Sequence, residues 1–106
     1  MKIQIDDADL KELIETGHNN RFKRLERSRK FMEALGRVYR ILEMVNDTRG
    51  LKPYSFLHYE QLKDTGGLSS VRVMNGRVER LIFREMENGV EIVILELDTT
   101  HYGNKK

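Results

Sequence analysis

Ser70-Val71-Arg72-Val73-Met74-Asn75-Gly76-Arg77-Val78-Glu79-Arg80-Leu81-Ile82-Phe83-Arg84 is the stretch whose reading decides the fold. Two runs of period-two apolar residues flank Asn75-Gly76, a dipeptide that takes the positive φ values a tight hairpin turn demands. Strands are therefore expected at residues 70–74 and 78–84. Working outward, residues 85–89 supply a second turn. Residues 90–97 form the most apolar strand, with Ile92 and Ile94 on one face and Val93 and Leu95 on the other. Apolar residues on both faces mark a strand interior to its sheet. On the other side of the hairpin, Asp64-Thr65-Gly66-Gly67 reads as a turn or loop and residues 55–59 as a short strand.

Upstream of Pro53 the period is helical. Phe31, Leu35, Val38, Leu42 and Val45 recur at steps of four and three, which predicts a helix from about residue 20 or 22 to residue 45. Gly36 within it costs about 1 kcal/mol relative to Ala, which close packing against a neighbour could offset. A shorter helix is expected where Asp6, Asp7 and Asp9 precede Leu10, Leu13 and Ile14, ending at Thr16-Gly17. Residues 2–5 alternate as a strand. Helices followed by an antiparallel meander give an α+β domain, one domain over residues 1–106, with the helices on one sheet face.

The 106 residues carry a formal net charge of only +2, but residues 21–40 hold eight Lys and Arg against two acids. Such a segment attracts polyanions, although the solvated face of an amphipathic helix has the same composition. With no cysteine, the chain has no disulfide framework and no thiol nucleophile. No apolar run approaches the ~20 residues that cross a bilayer. The expected setting is a soluble, cytoplasmic one.

The candidate chemistry rests on few groups. The histidines are His18, His58 and His101; His18 lies in a polar loop, while His58 and His101 end sheet elements. A lone histidine is more often structural than functional. No metal-ligand spacing, no phosphate-binding GK[ST] loop and no serine-triad motif is present, so neither a metal nor a cofactor is expected. Histidine with several Lys and Arg suits attack of an RNA 2′-hydroxyl on its own adjacent phosphate. The substrate brings the nucleophile, and the protein supplies base, acid and cations. Arg80 and Arg84 share a strand face and Arg72 can join them across the hairpin. The bland alternative is exposed strand charges paired with Glu79, Glu85 and Glu91.

Leu57-His58, Leu62-Lys63, Ser70-Val71-Arg72-Val73, Arg80-Leu81-Ile82-Phe83-Arg84 and Leu97-Asp98-Thr99-Thr100-His101, taken in order, resemble the RelE/ParE superfamily of bacterial toxins, and within it the HigB, or plasmid maintenance killer, branch. Residues 9–17 resemble that branch's first helix, and Lys23-Arg24-Leu25 its basic stretch. The resemblance implies a microbial-ribonuclease-like fold, helices packed on a curved antiparallel sheet. It implies a toxin that cuts messenger RNA in the ribosomal decoding site and is neutralised by a helix-turn-helix antitoxin of the HigA type. His58 and Lys63 match the branch's central pair, and His101 matches its terminal histidine with Asp98 near the acidic position. The His58–Lys63 spacing is longer than the family's, Thr100 stands where a tyrosine usually precedes the terminal histidine, Tyr102 follows it, and the hairpin is longer. On this reading His58 and His101 are base and acid in either order, oriented by Asp98. Lys63, Arg72 and Arg84 hold the phosphate, Arg80 lies beside them, and Tyr102 stacks on a base. Lys23, Arg24 and Arg27 meet ribosomal RNA by charge. The rivals are a non-enzymatic ParE-type toxin acting on DNA gyrase and a plain RNA-binding domain.

Overall fold

A computed structural model of the chain describes residues 1–100; the expectations for His101 and Tyr102 lie outside the described residues. Strand β1 (Lys2–Ile5) leads into helix α1 (Ala8–Thr16), whose first turn is capped by Asp7, its side chain accepting from the Leu10 amide at 3.1 Å. Gly17, at φ 82°, closes α1 by donating its N–H to the Leu13 carbonyl at 2.8 Å. Then come a 3₁₀ turn (Asn20–Phe22), helix α2 (Lys23–Glu26) and helix α3 (Arg29–Met44).

The continuous helix expected from about residue 20 to residue 45 is thus two helices. Ser28 breaks it, at φ −89° and ψ 105°, with its hydroxyl capping the Phe31 amide at 3.2 Å. The reason is phase. On one continuous helix Phe22 would lie nine positions from Phe31, about half a turn out of register at 100° per residue. Phe22 and Phe31 are both buried, and only a break lets both face the same core. From Phe31 onward the predicted stripe holds, with Ala34, Leu35, Val38, Ile41 and Leu42 buried along α3. Gly36 has no close-packed neighbour to offset its cost: a Cβ there would meet only the Arg40 guanidinium, at 3.4 Å.

The strand expected at residues 55–59 is instead a 3₁₀ turn (Ser55–Leu57), followed by a two-residue strand β2 (Glu60–Gln61). Strands β3 (Leu68–Arg72), β4 (Arg80–Met86) and β5 (Glu91–Asp98) complete a sheet of order β1-β5-β4-β3-β2. The sheet is mixed rather than wholly antiparallel, because β1 pairs with β5 in parallel (Ile3↔Ile92, Ile5↔Ile94). The hairpin is centred as expected, with Gly76 at φ 83°, but its ladder ends at Arg72↔Arg80. Arg77 binds the buried Glu79 carboxylate by two N–H···O bonds and lies over the Phe31 ring, so residues 73–79 form a loop tied to α3.

The helices cover one sheet face. Val71, Leu81, Phe83, Ile92, Ile94 and Leu97 point to them. A bulge in β5 makes this possible: Ile82 pairs with Glu96 but Phe83 pairs with Ile94, so Leu95 is an extra residue. It shifts the alternation and brings Leu97 to the same side as Ile94. Beyond β4, Gly89 sits at φ 88° against the 3₁₀ turn Thr48–Leu51, and a Cβ there would lie 2.4 Å from the Thr48 hydroxyl. Gly89→Ala is expected to destabilise the protein by about 2–4 kcal/mol, combining the left-handed backbone with the overlap. A lower urea midpoint at unchanged slope is the readout. Among the described residues no helix is long and apolar enough to cross a membrane.

Candidate functional site

The sheet face opposite the helices is built by the alternate residues of the same strands. Leu68, Ser70 and Arg72 come from β3, and Arg80, Ile82 and Arg84 from β4. Arg72 stands directly opposite Arg80, which in turn stands opposite Asp98. Like charges directly opposite in a ladder repel, and the Glu60 carboxylate, ion-paired to Arg80, together with Asp98 opposite it, reduces that repulsion. Arg80 is buried, with 7% of its surface exposed, and its Nη1 donates to Glu60 at 3.0 Å and to the Ser70 hydroxyl at 3.1 Å. Arg72 is half-buried, and its Nε is shielded from water with no hydrogen-bond partner among the described residues. A buried donor left unmade costs about 1–3 kcal/mol.

Arg84 lies four residues beyond Arg80 along β4, on the same face, and is exposed; its Nη1 donates to the Gly66 carbonyl at 3.0 Å. That contact holds the loop between β2 and β3, which turns through positive φ at Asp64, Gly66 and Gly67 and carries Lys63. Lys63 and His58 are both exposed and bracket β2, one on each side of Glu60. His58 occupies a left-handed conformation, φ 47° and ψ 46°, at the end of the Ser55–Leu57 turn. Such a backbone is uncommon for a residue with a Cβ and collects at functional positions. Beside it, Tyr59 turns to the helix side and stacks on Phe83, centroids 6.3 Å apart and planes 10° from parallel. Asp98 accepts from both the amide (2.9 Å) and the hydroxyl (2.8 Å) of Thr100.

The structure therefore brings Arg72, Arg80 and Asp98 into one row, sets Arg84 beside it, and places His58 and Lys63 at the two ends of the edge strand. It does not pair the arginines with Glu79, Glu85 or Glu91. Glu79 binds Arg77, Glu91 accepts from Gln4, and Glu85 faces the helix side. Lys23, Arg24 and Arg27 are exposed, but on the short α2 and the break after it rather than along one long basic helix. Residue reasoning missed Glu60 and Ser70, the partners that hold Arg80; for Ser70 the signal lay in its two-residue spacing from Arg72 on the same strand. Among the described residues no three His, Cys, Asp or Glu side chains group as metal ligands.

A second polar cluster was also missed. The Glu85 carboxylate accepts from the hydroxyls of Tyr59, Ser69 (2.8 Å) and Thr48 (2.9 Å). Burial pushes its pKa up, but these donors, with Gln61, outweigh burial and hold it below the usual carboxylate value. Burial and the Glu85 charge raise the Tyr59 phenol. Every donor there is already used, so the cluster is a clasp joining the Thr48–Leu51 turn, β2 and β3 to the end of β4.

Helices packed on one side of a five-stranded mixed sheet define the α+β fold of this chain. Over 97% of this chain and 97% of the other, the protein is similar to a chain of the archaeal RelE–RelB complex from Pyrococcus horikoshii OT3, with a TM-score of 0.53 and 17% identity. What the two share at that identity is the fold. No family model matches the sequence, and no curated protein matches it.

Proposed function

We propose that this protein is the toxin of a toxin–antitoxin pair, an endoribonuclease of the HigB type that cuts messenger RNA on the ribosome, in the cytoplasm. The observation that carries the reading is the Arg72–Arg80 pair on the face opposite the helices, with the Arg72 Nε left without a hydrogen-bond partner among the described residues. The substrate's 2′-oxygen attacks the adjacent phosphorus and the 5′-oxygen leaves, giving a 2′,3′-cyclic phosphate. One imidazole takes the 2′-hydroxyl proton and the other protonates the departing 5′-oxygen, His58 and His101 serving in either order. Arg72 and Arg80, with Arg84 and Lys63 beside them, meet the charge that builds on the non-bridging oxygens. Asp98 orients His101, and Tyr102 stacks on an unstacked base. The basic residues Lys23, Arg24 and Arg27 meet ribosomal RNA without reading sequence. The RelE–RelB likeness supports an antitoxin partner, and the HigB resemblance makes it a helix-turn-helix protein of the HigA type.

Programmed ribosomes and a defined messenger test this. His58→Ala and Lys63→Ala are expected to slow cleavage by about 10²–10⁴-fold, the range of general acid–base and charge contributions. Both side chains are exposed, so folding should survive. With two histidines acting, the wild-type rate should be bell-shaped in pH. Intact messenger together with gyrase-dependent DNA breakage would select the ParE-type reading instead.

A further inference from the structure

At the end of the sheet where β5 finishes and β4 begins, a cleft of about 590 Å³ opens on the helix side, lined by Arg21, Arg24 and Arg77 over a floor that includes Phe22 and Leu97. Its volume falls within the ~300–1,000 Å³ of small-ligand sites. Two of its three guanidiniums are immobilised and neutralised. Arg21 is held to Asp7 at 2.8 Å and lies 4.7 Å above the Phe22 ring centroid. Arg77 is held to Glu79 at 2.9 Å with its guanidinium 5.8 Å from the Phe31 centroid. A guanidinium fixed by a carboxylate and backed by an aromatic ring is a flat stacking platform more than a phosphate clamp. Arg24 is different. It is exposed and makes no ion pair among the described residues. Among the described residues the cleft thus offers planar surfaces and one uncompensated positive charge.

We propose that this cleft binds a single ribonucleotide unit, its base stacked on the Arg21 guanidinium and its phosphate on Arg24. Arginine planes and apolar floors accept an unstacked base of any sequence, and one free cation matches one phosphate. The choice of a ribonucleotide rests on the RNA-cleaving reading above. The position favours it too. Glu79 and Thr99, which line the cleft, are chain neighbours of Arg80 and Asp98 in the arginine row. Strand alternation puts the cleft and the row on opposite faces of one sheet end, so an RNA strand crossing that end meets both.

The test is a titration of the ¹⁵N-labelled full chain, followed by amide shifts, with adenosine 5′-monophosphate, adenosine and inorganic phosphate in turn. The monophosphate is expected to move the amides of residues 21–28, 77–79 and 99, and to bind at least tenfold more tightly than either fragment. Arg24→Gln and Arg21→Lys should each weaken it about tenfold, the second because lysine keeps the charge and loses the plane. Lys52→Gln, at an exposed cation that does not line the cleft, should leave it unchanged. Equal binding of phosphate and the monophosphate, wild-type affinity in Arg21→Lys, or shifts confined to the opposite sheet face would each overturn the proposal. Messenger cleavage with no nucleotide in the cleft defeats this inference alone. Nucleotide in the cleft with no cleavage defeats the enzymatic reading alone.

Discussion

Replacing Arg72 by methionine should abolish messenger cleavage while leaving the protein as stable as before, or more so. The two effects have one cause. In the free protein Arg72 faces Arg80 across the ladder, and its Nε has no hydrogen-bond partner among the described residues. Methionine keeps most of the apolar stem and removes both penalties, so stability should change by between zero and about +2 kcal/mol. On the proposed reading the same guanidinium meets phosphorane charge in the transition state, and losing it should lower kcat by about 10²–10³-fold, as for other pre-organised donors. Urea unfolding and single-turnover cleavage, run on the same preparation, decide the matter. A variant that loses more than about 1 kcal/mol would make Arg72 a structural residue, because removing a like-charge neighbour cannot itself destabilise. Arg80 is a poorer probe. It is buried and holds Glu60 and Ser70, so its removal damages the sheet together with the site.

Glu85→Gln should cost stability in a way that depends on pH. One carboxylate there accepts three hydroxyl hydrogen bonds from three separate segments. Glutamine keeps one acceptor oxygen and turns the other into a donor that faces donors. The expected loss at pH 7 is about 2–3 kcal/mol, from broken bonds to a charged group and from hydroxyls left unmatched. The folded-state pKa of Glu85 lies below its ordinary value, so its contribution is fully present above the unfolded pKa of about 4.5 and is lost as pH falls through the folded value. The gap between wild type and Glu85→Gln should therefore be constant from neutral pH down to about 5 and should close below that. Tyr59→Phe, which removes one of the three donors, should cost about 1–2 kcal/mol with the same acid dependence. A gap that stays constant down to pH 3 would mean that Glu85 acts by shape and not by charge.

The histidines and Lys63 stand differently from the arginines in what the chain alone revealed. Period two along residues 70–84 already put Arg80 and Arg84 on one face, and the structure adds that Arg72 is opposite Arg80 rather than diagonal to it. Glu79 and Glu85 looked like partners for these arginines because they are adjacent in sequence. Adjacency in a strand means opposite faces, and parity alone would have sent Glu85 to the helix side with Leu81 and Phe83. His58 was expected at a strand end; it follows a 3₁₀ turn in a left-handed conformation, which residue type does not announce. The same arithmetic of phase that marks α3 from Phe31 onward also excludes Phe22 from that helix. The break at Ser28 is therefore legible in the phase of the two phenylalanines.

Local periodicity by itself determined α1, α3 from Phe31 onward, the central strands, the Asn75-Gly76 reversal, the interior position of β5 and the α+β class, because backbone geometry imposes repeats of 3.6 and 2 on any residues that share a core. Only the folded chain decided that β1 joins β5 in parallel, that Leu95 bulges out so that Leu97 can reach the helices, and that Arg72 and Arg80 meet face to face. These depend on register between segments distant in sequence. Register is set by the joint packing of all the strands against the helices, a quantity no single segment contains.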